Sequence, residues 1–421
     1  MEGKVGGMNE DSRIVIVGAG HGGGNMCAAL RQVGHRGEIV LVGDEPRVPY
    51  HRPPLSKAYL KGSATADSLR LRPESWYTGN NIVLRLGETV AAIDRRMQRV
   101  VLASGEAIPY DLLVLATGAR ARRLALPGSD LANIVTLRDL SDAETLRTVV
   151  QPGRTLAIVG GGYVGLEAAA SVIGMGAHAV LLEREARILQ RVACEPLARF
   201  FHNYHASKGV RILTAAQVSG FVGEDGRVSG VALANGETIG CDAVLLGVGA
   251  EVRDELARAA GLACEPGGVV VDDVGRTSDN RIYAVGDATW RPLPLYESRM
   301  TRLESVPNAT EQAKRAAHDI VGKPQPAHEV PWFWSDQYDV KLQIAGIPFD
   351  TRHLVVRGTI DSAKFAIFHM TAENRVQAVE AVNLPQAFMA GRTLIADDRA
   401  VDPGQLADPD VPLKELVRRG V

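Results

Sequence analysis

Apolar positions along the chain fall into two blocks of the same design. In the first, Arg13–Val17 is a strand-length apolar run that ends in Gly18-Ala19-Gly20. A helical stretch follows from Gly24 to Val33, and Glu38–Val42 is a second strand. The block recurs as Thr155–Val159, Gly160-Gly161-Gly162, a helix from Tyr163 to Met175 and a strand Ala179–Glu183. Apolar runs without polar alternation suit strands buried on both faces, as in parallel sheets. Three further runs end in glycine: Asp111–Gly118, Asp242–Gly249 and Arg281–Gly286, the last followed by Asp287.

Strand, glycine turn, helix and strand in that order make a Rossmann-type half, so an α/β fold with two Rossmann-like dinucleotide-binding domains is predicted. The first is discontinuous, from residues 12–118 and 250–323; the second, residues 119–249, is inserted into it. Gly322-Lys323-Pro324-Gln325-Pro326 reads as a linker. Beyond it, Leu342–Ile347, His353–Arg357 and Ala363–His369 suggest a small α+β C-terminal domain over 324–421, with a turn-rich tail at Asp402-Pro403-Gly404. A helix is expected from Asn308 to Ile320, after Pro307. Residues 1–11 are polar and glycine-rich and read as a mobile tail without the apolar core of a signal peptide.

Composition narrows the picture. A chain of 421 residues has room for about three domains. Hydrophobic residues at 46% and charged residues at 23% are ordinary for a globular protein. A net charge of -2 gives no field that would draw nucleic acid or an anionic membrane. The longest apolar runs fall short of the ~20 residues a membrane helix needs. Cys27, Cys194, Cys241 and Cys264 are widely spaced, with no CxxC pair, so no metal site and no redox dithiol is expected, and a reducing cytoplasm suits them.

The glycines carry the first chemistry. Gly18, Gly20 and Gly23 form G-x-G-x-x-G between a strand and a helix. Glycine permits the tight turn and lets backbone N–H groups approach a pyrophosphate, which the helix N-terminus attracts. Asp44, at the end of the next strand, is placed to accept from ribose hydroxyls. Gly160, Gly162 and Gly165 repeat the motif, with Glu183 in the acidic position. Glu183 favours NADH over NADPH, because a carboxylate accepts from a 2′-hydroxyl and repels a 2′-phosphate. Arg184, Arg187 and Arg191 either soften that preference or merely pair with Glu185 and solvent. Two dinucleotide sites in one chain suggest one resident flavin and one exchanging nicotinamide. Gly286-Asp287, opposite the first loop, assigns the first site to FAD.

Several longer stretches point to a family. They are Val17-Gly18-Ala19-Gly20, Arg52-Pro53-Pro54-Leu55-Ser56-Lys57, Leu115-Ala116-Thr117-Gly118, Ile158 to Glu167, Ala284-Val285-Gly286-Asp287-Ala288, Glu304 to Ala309 and Pro331-Trp332-Phe333-Trp334-Ser335-Asp336-Gln337. On these the chain resembles the two-dinucleotide-binding flavoproteins. Within them it is similar to the ferredoxin reductases of bacterial monooxygenase and dioxygenase systems, of the putidaredoxin-reductase and rhodocoxin-reductase type. The resemblance implies a glutathione-reductase-like fold. It implies FAD at Gly22, Asp44, Arg52, Lys57, Val90, Ala116, Thr117, Arg138, Gly286, Asp287, Val306 and Trp332, and NADH at Tyr163, Val164, Glu167, Arg191 and Gly249. Val90 and Arg138 rest on resemblance alone; by themselves they read as a core valine and a surface arginine. One departure is Gly249-Ala250-Glu251-Val252-Arg253, where relatives commonly carry Pro-Asn.

The same resemblance implies catalytic roles for Lys57 and Glu167, paired near the flavin so that the cation stabilises arriving charge. Without the flanking Pro-Pro-Leu-Ser, Lys57 would read as a solvated lysine. It implies a cycle in which NADH gives hydride to FAD and electrons leave singly to a [2Fe-2S] ferredoxin serving a cytochrome P450 or a Rieske oxygenase. Trp332 and Trp334 are expected near the flavin and the docking site, with Arg299, Arg302, Lys314 and Arg315 as a basic patch, although such charges are more often a solvated helix face. The alternatives are a rubredoxin reductase, an NADH oxidase, a disulfide reductase, or a redox-controlled interaction protein like relatives of apoptosis-inducing factor. The third needs a thiol near the flavin, and the fourth a basic surface that the near-neutral charge does not favour.

Overall fold

The two apolar blocks become two parallel sheets, each buried by a different layer on each face. In the computed structural model, which describes residues 10–418, the first sheet runs Ile282–Ala284, Leu112–Leu115, Ile14–Val17, Ile39–Gly43, Ile82–Leu86. All neighbours in it are parallel. Side chains alternate across a strand. Ile14 and Ile16 accordingly pack with Met26 and Leu30 of helix His21–Gln32 and with Ala313 and Ala317 of helix Val306–Ile320. Val15 and Val17 face the other way, onto Val100, Leu102 and Ile108 of a small antiparallel sheet.

The second sheet repeats the plan with the order Arg211–Leu213, His178–Leu182, Thr155–Val159, Ala243–Leu246, Ile134–Val135, again all parallel. Leu156 and Ile158 meet Leu166 and Val172 of helix Tyr163–Gly174 and Phe201 of helix Glu195–Ser207. Ala157 and Val159 meet Phe221, Val231 and Ile239 of a three-stranded antiparallel layer. The C-terminal strands form an antiparallel sheet ordered Trp332–Gln337, Val340–Gly346, Val376–Val382, Lys364–Met370, His353–Thr359, accompanied by helix Pro385–Asp397.

The chain divides into two compact units. One comprises the residues up to His51, Leu69–Arg120 and Val252–Pro331; the other Arg52–Ser68, Ala121–Glu251 and the residues from Trp332 on. The C-terminal sheet groups with the second nucleotide half, and Arg52–Ser68, with the Pro-Pro-Leu-Ser-Lys motif, falls in that same unit.

Two expected boundaries shift for identifiable reasons. The helix expected at Asn308 begins at Val306, because Ser305 caps it by accepting from the Asn308 N–H. Of the expected mobile tail, residues 1–9 lie outside the described residues, whereas Glu10 and Asp11 are held: the Glu10 carbonyl accepts from the Arg36 and Gly37 N–H groups, and both carboxylates pair with the Arg36 guanidinium. Among the described residues no helix is long and apolar enough to cross a membrane.

Candidate active site

The two glycine loops are built alike to the level of single atoms. Gly18 and Gly160 have φ of 111° and 110°, a region L side chains rarely adopt. A Cβ at Gly18 would stand 2.2 Å from the Ala116 carbonyl oxygen, and one at Gly160 would stand 2.4 Å from that of Gly247. The third glycine closes each turn: a Cβ at Gly23 would come within 1.9 Å of the Gly18 oxygen, and at Gly165 within 2.2 Å of the Gly160 oxygen. Gly20 and Gly162 stand at the helix N-caps with no side-chain cap, so their first-turn N–H groups stay available for an anion. Above Gly162 nothing among the described residues lies within 4 Å of where a Cβ would be, and Val164 beside it is 46% exposed. That open backbone fits a pyrophosphate.

The acids at the strand ends differ. Asp44 pairs with the Arg253 guanidinium at 2.8 Å. Arg253 is itself fixed: its N–H donates to the Gly118 carbonyl and its carbonyl accepts from the Thr117 hydroxyl. Glu183 instead serves its own loop, accepting from the Gly161 N–H at 2.7 Å and the Glu185 N–H at 2.8 Å. Two carboxylate oxygens offer about four lone-pair sites, so capacity for a ribose hydroxyl remains. Arg184 pairs with Glu185, and Arg187 donates to the Gln190 and Ala193 carbonyls; Arg191 is exposed. Gly249, with φ of 96°, accepts from the Arg122 N–H and has open space beside it.

In the first unit, Gly286 and Asp287 form a short turn held by Gln312, whose side-chain oxygen accepts from the Gly286 N–H at 2.8 Å. Val306 opens the helix that carries Gln312. A Cβ at Gly22 would stand 3.5 Å from that of Ala116, an ordinary contact. Val90 is 6% exposed within the apolar layer beneath the first sheet, the place of a core valine.

In the second unit, three motif segments distant in sequence converge on one carboxylate. Lys57 Nζ lies 2.5 Å from Glu167 Oε2 and also donates to the Pro53 carbonyl. The Ser56 hydroxyl donates to the same oxygen at 2.6 Å, and the Ser335 hydroxyl to Oε1 at 2.6 Å. Gln337 donates to Ser335, and its oxygen lies 2.7 Å from His205 Nε2. Glu167 is 5% exposed, so the bonds compensate for burying its charge. Ser56, Ser335 and Gln337 were not singled out from sequence. The available signal was in the strand Trp332–Gln337, where positions 335 and 337 share a face and are polar yet buried. Nearby in the chain, Arg52 donates to the Arg138 carbonyl at 2.7 Å. Tyr163 packs edge-on against Phe333, and its hydroxyl donates to the Val192 carbonyl.

One expected docking residue is displaced from the surface. Arg315 is 2% exposed and donates to the Asp273 carbonyl, the Asp273 carboxylate and the Pro326 carbonyl, so it anchors the segment after its helix. Lys314 is half-exposed, 3.6 Å from Glu329; Arg299 is exposed; Arg302 pairs with Glu304. In the other unit, Trp332 and Trp334 have ring centroids 5.6 Å apart, and Trp332 also meets Phe388 edge-on with Arg392 over its face.

Two similar cradles, each after the central strand of a parallel sheet, define a protein with two dinucleotide sites. The chain belongs to the pyridine nucleotide-disulphide oxidoreductase family, whose model matches residues 12–313, followed by a reductase C-terminal model over 332–417. It is 47% identical to a probable ferredoxin reductase, CtmF, of Castellaniella defragrans, covering 97% of this chain and 100% of that protein. It is 41% identical to the putidaredoxin reductase CamA of Pseudomonas putida, covering 97% and 98%. The crystal structure of a covalent putidaredoxin reductase–putidaredoxin complex superposes with a TM-score of 0.94, covering 97% of this chain and 99% of that one, at 41% identity. The protein is an FAD oxidoreductase working with NAD(P)H.

Proposed function

We propose that this enzyme is an NADH-dependent ferredoxin reductase that feeds single electrons to a [2Fe-2S] ferredoxin of a bacterial cytochrome P450 system in the cytoplasm. The observation that carries the reading is the Lys57–Glu167 pair, whose buried carboxylate is braced by Ser56 and Ser335. FAD, when bound, accepts two electrons at once and releases them one at a time. The chain's own residues do the rest. Gly18, Gly20, Gly22 and Gly23 receive the flavin pyrophosphate, with Asp44, Val90, Ala116, Thr117, Gly286, Asp287 and Val306 of the same unit; Arg52, Arg138 and Trp332 are assigned to the flavin by family resemblance. Gly160, Gly162, Tyr163, Val164, Gly165, Glu183, Arg191 and Gly249 receive NADH. Lys57, oriented by Glu167, supplies a fixed cation where negative charge arrives.

A thiol-based reaction has less support. Cys27, on the helix after the first loop, is fully buried, and burial pushes its thiol up to about 12, so it stays protonated and unreactive. For the acceptor, Arg299, Arg302 and Lys314 offer an electrostatic guide for an acidic ferredoxin; Trp332 and Trp334 are apolar candidates of the other unit.

Steady-state reduction of a putidaredoxin-type ferredoxin, run separately with NADH and NADPH, tests the proposal. Efficient turnover with NADH and poor turnover with NADPH is the expected result. Flavin reduction without transfer to any [2Fe-2S] protein would overturn it.

A further inference from the structure

Helix Glu195–Ser207 begins at Cys194, and the C-terminal sheet carries His369 and Glu380 on neighbouring strands, paired through Ile367↔Glu380 and His369↔Ala378. The fold brings the three side chains together. The Cys194 sulfur, an imidazole nitrogen of His369 and a carboxylate oxygen of Glu380 all lie within 4.8 Å of one another. His369 and Glu380 are 4% and 3% exposed, and Cys194 is partly open to solvent.

The roles of the individual atoms are already divided. Glu380 Oε1 accepts from the Cys194 N–H at 3.0 Å, which fixes the carboxylate. That leaves Oε2 facing the thiol at 2.7 Å and His369 Nε2 at 3.5 Å. His369 Nδ1 lies 3.4 Å from the Thr351 hydroxyl. Among the described residues Nε2 has no hydrogen-bond partner, although it is buried. A buried imidazole nitrogen without a partner is costly, and here it points at a carboxylate and a sulfur.

We propose that Cys194, His369 and Glu380 form a zinc site that staples the second nucleotide half to the C-terminal sheet. Sulfur, nitrogen and oxygen in one cluster are the donor set zinc accepts, with a water completing four ligands. Thr351 at the far ring nitrogen is the outer partner that orients a metal-binding histidine. Cys194, the one of the three that is not fully buried, is where the ion would enter.

Charge and protons balance simply. Without a cation beside it, the Cys194 thiol donates its proton to Glu380 Oε2 at 2.7 Å. Zinc takes the place of that proton, which leaves to solvent, and no electron moves. The sulfur–oxygen separation then widens toward the roughly 3.5 Å that zinc–ligand bonds of about 2.0–2.3 Å impose in a tetrahedron.

The test uses the purified flavoprotein, dialysed against zinc chloride and then against buffer. Zinc content, competition with a chromophoric chelator and zinc X-ray absorption are read on wild type, Cys194→Ala and His369→Ala, with flavin content as the folding control. Wild type is expected to keep one zinc per chain with a Zn–S distance of about 2.3 Å. Each variant is expected to lose at least about tenfold in zinc affinity, that is ~1.4 kcal/mol, at unchanged flavin content. Zinc retained without a sulfur ligand, or no more by wild type than by the variants, overturns the proposal. The wild-type absorption spectrum decides the matter even if a variant fails to fold.

Discussion

The two glycine loops share a backbone and differ in what their acids do. At Gly18 and Gly160 the φ angles agree within 1°, and in both loops the third glycine presses on the carbonyl of the first. Asp44, however, is engaged by a distant side chain, Arg253, whereas Glu183 is turned onto its own loop through Gly161. The cradle for a pyrophosphate is therefore generic, a consequence of strand, turn and helix. Which dinucleotide each loop takes is decided outside it: at the strand-end acid, and at the elements each loop faces.

The largest effect expected follows from closing the cradles one at a time. Gly23→Ala places a methyl against the Gly18 backbone, where nothing flexible can yield, and should give protein that purifies nearly free of flavin. Gly165→Ala should keep its flavin and raise KM for NADH about tenfold or more, ~1.4 kcal/mol. Flavin absorbance per chain and steady-state kinetics separate the two. Equal flavin loss from both would erase the distinction between the loops.

Next comes the pair in the second unit. Lys57→Met should slow flavin reduction by NADH about a hundredfold while FAD remains bound, in line with removing one preorganised charge from a reacting centre. Stopped-flow reduction at wild-type rate would remove Lys57 from the chemistry. Glu183→Gln should narrow the preference for NADH over NADPH on the order of tenfold, since only the charge is lost; an unchanged ratio of kcat/KM values would assign Glu183 a purely structural role. The smallest effect concerns docking. Arg302→Glu with Lys314→Glu should lower ferredoxin reduction about threefold to tenfold at low salt and spare NADH-to-ferricyanide turnover. Parallel loss of both rates would argue for damage elsewhere.

Much of this was legible in the sequence because its signals are local. Apolar runs ending in glycine at Val17, Val159 and Leu115 marked the central strands, and the strand–turn–helix order marked both cradles. What escaped depends on contacts across long separations. No spacing links Cys194 to Glu380, which are 186 positions apart. Arg315 carries a charge in a pattern that suits a solvated face, yet the carbonyl groups it reaches lie in segments whose path sequence does not reveal. Arg253 was visible only as part of a departure from the family pattern, and its reach to Asp44 required the fold. The Ser56–Glu167–Ser335 brace lay inside quoted motifs, but only the fold brings those motifs to one side chain.

A single turnover shows directly whether electrons pass from the flavin to a ferredoxin. The enzyme is reduced anaerobically with one equivalent of NADH and mixed with excess oxidised [2Fe-2S] ferredoxin. The flavin band and the iron–sulfur band are then followed together. A ferredoxin reductase should show rapid return of the flavin band with two ferredoxins reduced for each flavin. A reduced flavin that persists in the presence of the ferredoxin would contradict it, and would favour a redox-controlled interaction protein over an electron-transfer enzyme.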